Sequence, residues 1–218
     1  MPNHTIRISS DDRTDTLKYI QDKKKEGTFR VIDVGGSMGG WSAPVLDALV
    51  DFNDHCSNPN ILHFKSDITH PDGWKDILEY VHTNGKFDFC ICTHTLEDII
   101  NPKFVTEQLS KIAKSGYIAF PSKYRELSRF ESGPSSYRGY IHHRWIFDMK
   151  GTLCVAYPKI NYLDSSPIFD SVANISTAVR DLSFYWDESI EMEYLNTNYL
   201  GPTVWHVKNY YTALLDKH

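Results

Sequence analysis

Short apolar runs alternate with polar, glycine-marked segments through the first half of the chain. One run begins near Phe29 and closes on Val31, Ile32 and Val34. Residues 48–52, 61–68, 87–92 and 116–121 form four more. Between them the spacing is helical. Leu17 and Ile20 give residues 11–22 one weak apolar face, and Gly27 ends it. Trp74, Ile77, Leu78 and Val81 fall at i, i+3, i+4 and i+7, so residues 73–83 read as a helix that Gly85 stops. Asn101-Pro102 reads as an N-cap with proline at the first helical position, and Val105, Leu109 and Ile112 follow as a stripe ending at Gly116. Alternating strands and helices predict an α/β domain, a mostly parallel central sheet with helices on both faces.

The pattern changes after Pro121. Residues 121–143 have little periodicity and many Ser, Gly, Tyr and Arg. Residues 145–147 and 153–157 flank Met149-Lys150-Gly151 and read as a hairpin. A second hairpin is expected to pair 182–186 with 190–195 across Asp187-Glu188-Ser189. These late antiparallel strands would form a sheet edge, cap the site or build an interface.

The densest chemical signal follows the first strand: Asp33-Val34-Gly35-Gly36-Ser37-Met38-Gly39-Gly40-Trp41. Glycines let a backbone adopt positive φ and approach a ligand closely. In open α/β sheets the ligand lies at the carboxyl ends of the strands. A phosphate-cradling P-loop needs Gly-Lys-Ser/Thr, but Gly40 precedes Trp41. A dinucleotide fingerprint needs Gly-x-Gly-x-x-Gly, which Ser37 and Met38 interrupt. What remains is acid-x-Gly-x-small-x-Gly, satisfied by Asp33, Gly35, Ser37 and Gly39. Asp51 stands at the end of the second strand, where a carboxylate suits a ribose diol; Asp54 is the alternative. Asp67 ends the third strand, with Ile68 beside it.

On these residues the chain resembles the class I S-adenosylmethionine-dependent methyltransferases. The Asp88 strand and the Thr93-His94-Thr95-Leu96-Glu97-Asp98 run resemble that family's fourth strand and the loop after it. The likeness covers about residues 28–122. It implies a Rossmann-like methyltransferase fold and S-adenosyl-L-methionine as cofactor. Asp33 would hold the amino group of the methionine end, with the backbone around Gly35, Gly36, Ser37, Met38, Gly39 and Trp41 beneath it. Asp51 and Phe52 would face the ribose, and Asp67 and Ile68 the adenine. Thr93 and His94 would border the cofactor from the fourth strand. Residues 1–218 would form one domain, with about 123–195 shaping the acceptor site. The loop after the fourth strand resembles those of sugar and small-molecule O-methyltransferases, with a fainter likeness to methyltransferase domains in glycan-building proteins of large DNA viruses.

Composition narrows the partners. The 218 residues are 41% hydrophobic with a net charge of −5, which disfavours a nucleic-acid substrate held through phosphates. No apolar run reaches the roughly 20 residues of a membrane helix, and the polar start shows no secretory signal, so a cytoplasmic protein is expected. Cys56, Cys90, Cys92 and Cys154 read as free thiols in a reducing compartment. The sequons at Asn3 and Asn174 are then chance, and Lys23-Lys24-Lys25 reads as a solvated helix end.

Methyl transfer to a hydroxyl requires an aligned oxygen and a proton acceptor. Imidazole titrates near neutrality, so His143, then His142 and His94, are the candidate bases, with Asp98 or Glu97 as orienter. Arg125, Arg129 and Arg138, with Tyr124, Tyr137 and Tyr140, suit either a polar aromatic cleft or loop packing. Carboxylates and histidines near the fourth strand allow a divalent metal, but no spacing is diagnostic. The expected reaction is O-methylation of a sugar or glycan hydroxyl. A protein or natural-product acceptor, or a non-catalytic cofactor-binding subunit, are the alternatives.

Overall fold

A computed structural model describes residues 7–9, 13–53, 58–131, 137–172, 179–195 and 203–215. In chain order the first elements are β1 (Arg7–Ser9), α1 (Arg13–Glu26), β2 (Val31–Val34), β3 (Ala48–Asp51) and β4 (Leu62–Lys65). Then come α2 (Lys75–Asn84), β5 (Phe87–Thr93), α3 (Pro102–Ile112), β6 (Ala113–Pro121) and α4 (Lys123–Leu127). The chain continues with β7 (Trp145–Lys150), β8 (Leu153–Pro158), α5 (Tyr162–Ser165), β9 (Asp181–Asp187), β10 (Met192–Tyr194) and α6 (Val204–Thr212).

Seven strands form the main sheet in the order β1-β9-β6-β5-β2-β3-β4. Strands β2 to β6 are mutually parallel, and β9 runs antiparallel between β6 and β1. This is the mostly parallel α/β arrangement expected from the alternating pattern, and the Rossmann-like one that the family resemblance implies. Side chains alternate across the sheet as strand geometry requires. Ile32, Val34, Cys90 and Cys92 pack with Trp74, Ile77, Val105, Leu109 and Ile112 from the side of α2 and α3. Val31, Leu49, Phe89 and Ile91 pack with Ile20 of α1. Asn101 caps α3, its side chain accepting from Phe104 N at 3.0 Å.

Two crossovers are leaner than the pattern predicts. Between β2 and β3 there is only a single 3₁₀ turn, Ala43–Val45, and among the described residues no helix joins β3 to β4. The glycine turn therefore leads into no α-helix.

The first late hairpin forms as expected, β7 against β8. The second does not. Residues of 182–186 belong to β9, which pairs with β6 and β1, while β10 lies parallel to β8. The smaller sheet, β10-β8-β7, docks on the main one by stacking Phe147 on Phe120, with ring centroids 4.2 Å apart. Cys90, Cys92 and Cys154 are buried free thiols, and burial pushes the pKa of Cys90 and Cys92 up. Cys56, Asp54, Asn3 and Asn174 lie outside the described residues. Lys23, Lys24 and Lys25 form the last turn of α1, in ion pairs with Glu26, Asp47 and Asp22. No helix among the described residues is long and apolar enough to cross a membrane.

Candidate active site

Strand order reverses direction between β2 and β5, and the residues after these two strands open the cleft. It has a volume of about 320 Å³ and is lined by Gly35, Asp51, Phe52, Asp67, Ile68, His94, Thr95 and Asp98, among others. Such a switch point is where open α/β sheets hold ligands.

The glycine turn is fitted to its neighbours. Gly35 has φ +79°, and a Cβ there would come 2.3 Å from Thr95 Oγ1. A Cβ on Gly36 would come 2.3 Å from the Asp33 carboxyl group. At Gly39 a Cβ would meet nothing within 4 Å. Asp33 is 2% exposed; Ser42 Oγ donates to its Oδ2, and Oδ1 has no partner among the described residues. Burial pushes its pKa up to about 7, the Ser42 hydrogen bond works against this, and Asp51 adds to it.

Asp51 and Asp67 sit on the cleft wall at two successive strand ends. Asp51 Oδ1 accepts from Asn53 N at 2.7 Å. Asp67 Oδ1 accepts from Thr69 N and Oγ1 at 2.9 and 2.6 Å, which holds its pKa low. Phe52 is 68% exposed at the rim. Trp41 and Met38 turn away to pack on the α1 side of the core, with Trp41 Nε1 3.4 Å from Thr93 Oγ1.

His94 follows β5 at φ 51°, a strained conformation for a residue with a Cβ. Burial opposes charge on its ring, but Asp181 and Glu97 outweigh burial and push its pKa up. Arg13 acts in the other direction. Its Nη2 lies 2.6 Å from Nε2, and a guanidinium donates only to an unprotonated nitrogen. The carboxylates are farther away, at 3.6 Å for Asp181 and 3.4 Å for Glu97. The geometry is therefore that of a neutral ring with Nδ1–H on the Glu97 side. Both Arg13 and Asp181 arrive for topological reasons. Because β1 runs parallel to β6, α1 begins at the carboxyl edge of the sheet. Because β9 is antiparallel, it begins there too, with Asp181 opposite Pro121. Glu97 is 1% exposed and neither carboxyl oxygen has a hydrogen-bond partner among the described residues.

A second group converges beside Asp98. His143 is nearly buried and its Nδ1 lies 2.7 Å from Glu126 Oε1; Lys159 Nζ donates to Glu126 Oε2 at 2.8 Å. The other ring nitrogen, Nε2, faces Asp98 Oδ1 at 3.6 Å. The partner on Nδ1 is thus Glu126 and not Asp98 or Glu97, the expected orienters: Asp98 meets Nε2 and Glu97 meets His94. His142 is exposed, with Nε2 3.8 Å from Asp98 Oδ1.

Of the two readings of the arginines, the structure shows loop packing for Arg125, Arg129 and Arg138. Arg138 is 1% exposed and donates to the carbonyls of Leu127, Leu163 and Ser166 and to Asp170. Arg129 donates to Asp164 O, and Arg125 lies 3.2 Å over Phe130. These side chains tie residues 123–130 to 138–170, which is the loop-packing alternative.

No family model and no curated protein sequence matches the chain. Several solved structures are similar at low identity. WbdD is 13% identical at a TM-score of 0.43, over 82% of this chain and only 40% of its own. An S-adenosylmethionine-dependent methyltransferase from Mesorhizobium loti is 9% identical at 0.46, over 81% of this chain and 98% of its own. Magnesium protoporphyrin IX methyltransferase from Synechocystis PCC 6803, with bound S-adenosylmethionine, is 10% identical at 0.41, over 81% and 78%.

Proposed function

We propose that the chain is a class I S-adenosylmethionine-dependent methyltransferase acting on a hydroxyl of a sugar or other small polyhydroxylated acceptor. The observation that carries this reading is the charge of the cleft. Asp51, Asp67 and Asp98 line it, Asp33 lies beneath the glycine turn with a free oxygen, and no Lys or Arg is among the lining residues. Such a wall suits a cationic ligand bearing hydroxyl and amino donors. It repels a pyrophosphate, and the turn offers no α-helix N-terminus to receive one.

The residues fit the cofactor. Asp33 Oδ1 is a buried acceptor in need of a donor, which an ammonium group supplies. Asp51 would take the ribose hydroxyls; Asp67 and Ile68 would border the adenine. The bound cofactor supplies an electrophilic methyl group on a sulfonium. The protein must then align the acceptor oxygen and remove its proton. His143 would take it; the reading is supported by Glu126, which as an acceptor on Nδ1–H leaves the Nε2 lone pair toward Asp98. Asp98 joins this group to the cleft.

The test is transfer of labelled methyl from the cofactor to a panel of acceptors. Label on sugar or small-molecule oxygen is expected. Label confined to RNA or protein would overturn the acceptor class.

A further inference from the structure

We propose that Asp98, His142 and His143 form a binding site for a first-row divalent cation, with Zn²⁺ as its representative. One ligand atom from each lies within 4.8 Å of the other two. Asp98 Oδ1 is 3.8 Å from His142 Nε2 and 3.6 Å from His143 Nε2, too long for direct hydrogen bonds. Two ligands at 2.0–2.1 Å from one tetrahedral ion stand about 3.3–3.4 Å apart. Both Asp98–imidazole separations are thus a few tenths of an ångström wider than in a loaded site, and the two imidazole nitrogens lie within 4.8 Å of each other. Two imidazoles and one carboxylate are a borderline donor set that selects Zn²⁺ or its neighbours over Mg²⁺ or Ca²⁺.

The surroundings supply a second, independent argument. Histidines that bind metal commonly give their other N–H to a carboxylate, which fixes the tautomer and raises ligand basicity. Glu126 does this for His143 at 2.7 Å, itself held by Lys159. The ring of Tyr140 lies 4.6 Å from that of His143, and His142 stands edge-on to His143 at 4.5 Å. The two ligand-bearing segments are pinned together apart from the ligands. Arg144 N donates to Glu97 O at 2.7 Å, Arg144 Nε to Asp98 O at 3.0 Å, and Trp145 Nε1 to Ile99 O at 2.7 Å. His142 and Asp98 stay exposed enough for an ion to enter, and Asp98 also lines the cleft.

An ion here would sit at the rim of the cleft and occupy the Nε2 lone pair that the metal-free protein offers as a base. Loaded and metal-free forms therefore cannot deprotonate an acceptor in the same way. This consequence rests on the function proposed above; the binding itself does not.

Untagged protein stripped with chelator is titrated with Zn²⁺ by calorimetry, and with Co²⁺ by visible absorption. One equivalent of each should bind. His142→Ala and Asp98→Asn, both altered at exposed positions, should weaken binding more than 10-fold. Glu126→Gln should weaken it by about 10–100-fold. Absence of binding by the natural chain, or binding unchanged in His142→Ala and Asp98→Asn, would overturn the site. S-adenosylhomocysteine is titrated into the same samples. Its binding without Zn²⁺ binding removes the metal site alone, and the reverse removes the cofactor reading alone.

Discussion

Glu126 Oε1 and His143 Nδ1 meet at 2.7 Å across 17 residues of sequence, and both are buried. Gly139 makes room for the pair, since a Cβ there would lie 2.3 Å from Glu126 Oε2. If His143 takes the acceptor proton, His143→Ala lowers kcat by about 10²–10⁴-fold. Glu126→Gln lowers kcat less, with cofactor affinity unchanged. The double variant should be no slower than His143→Ala alone, because the two act as one unit. Additive losses would separate their roles.

Asp33 gives two predictions of opposite sign. An ammonium group needs the carboxylate form, and the free protein holds Asp33 near a pKa of about 7. Cofactor affinity, measured by calorimetry across pH 5–8, should therefore level off as pH rises past about 7, where the ligand's own amino group is still protonated. Below 7 it should fall, approaching 10-fold per pH unit.

Stability moves the other way. The folded chain binds the Asp33 proton more tightly than the unfolded one, so this contribution is present below pH 3.8 and is lost as pH rises through about 7. Asp33→Asn should raise stability at pH 8, by up to about 4 kcal/mol, while cofactor binding is lost. Denaturant melts at pH 5 and pH 8 check the sign: the gain must be larger at pH 8.

The glycine turn is testable by a graded series. Gly36→Ala drives a methyl group onto the Asp33 carboxyl group and should cost about 1–3 kcal/mol together with cofactor affinity. Gly39→Ala meets open space and should change stability by less than about 0.5 kcal/mol. Equal effects at the two positions would contradict the packing described.

Arg13 opposes protonation of His94. In Arg13→Ala the carboxylates of Asp181 and Glu97 act alone, and the His94 ring should take a proton more readily. Ring-proton NMR should show an upward shift relative to the natural chain. A downward shift would contradict the opposition of Arg13 to protonation.

Local features were legible in the sequence. The apolar runs, the Asn101 cap and the glycine turn each depend on neighbours a few residues away, and β2 to β6 formed where those signals lay. The pairing of β9 was not legible. Asp187-Glu188-Ser189 has the composition of a tight turn, yet β9 finds more buried surface against β6, where Phe184 and Trp186 enter the core. The Glu126–His143 pair was not legible, because only the approach of α4 to residues 137–143 brings the two side chains together. Arg138 gave no sign of burial, because its carbonyl partners come from two segments distant in sequence, Leu127 and residues 163–166. Arg13 and Asp181 reach His94 only through the placement of β1 and β9 at one end of the sheet.

The central claim is that an acidic switch-point cleft takes a cationic nucleoside rather than a dinucleotide. Calorimetry of the purified chain with S-adenosylhomocysteine, S-adenosylmethionine and NAD tests it directly. The account predicts binding of both sulfur-containing nucleosides, weakened in Asp51→Ala and Asp67→Ala, and none of NAD. Binding of NAD without binding of either nucleoside would contradict it.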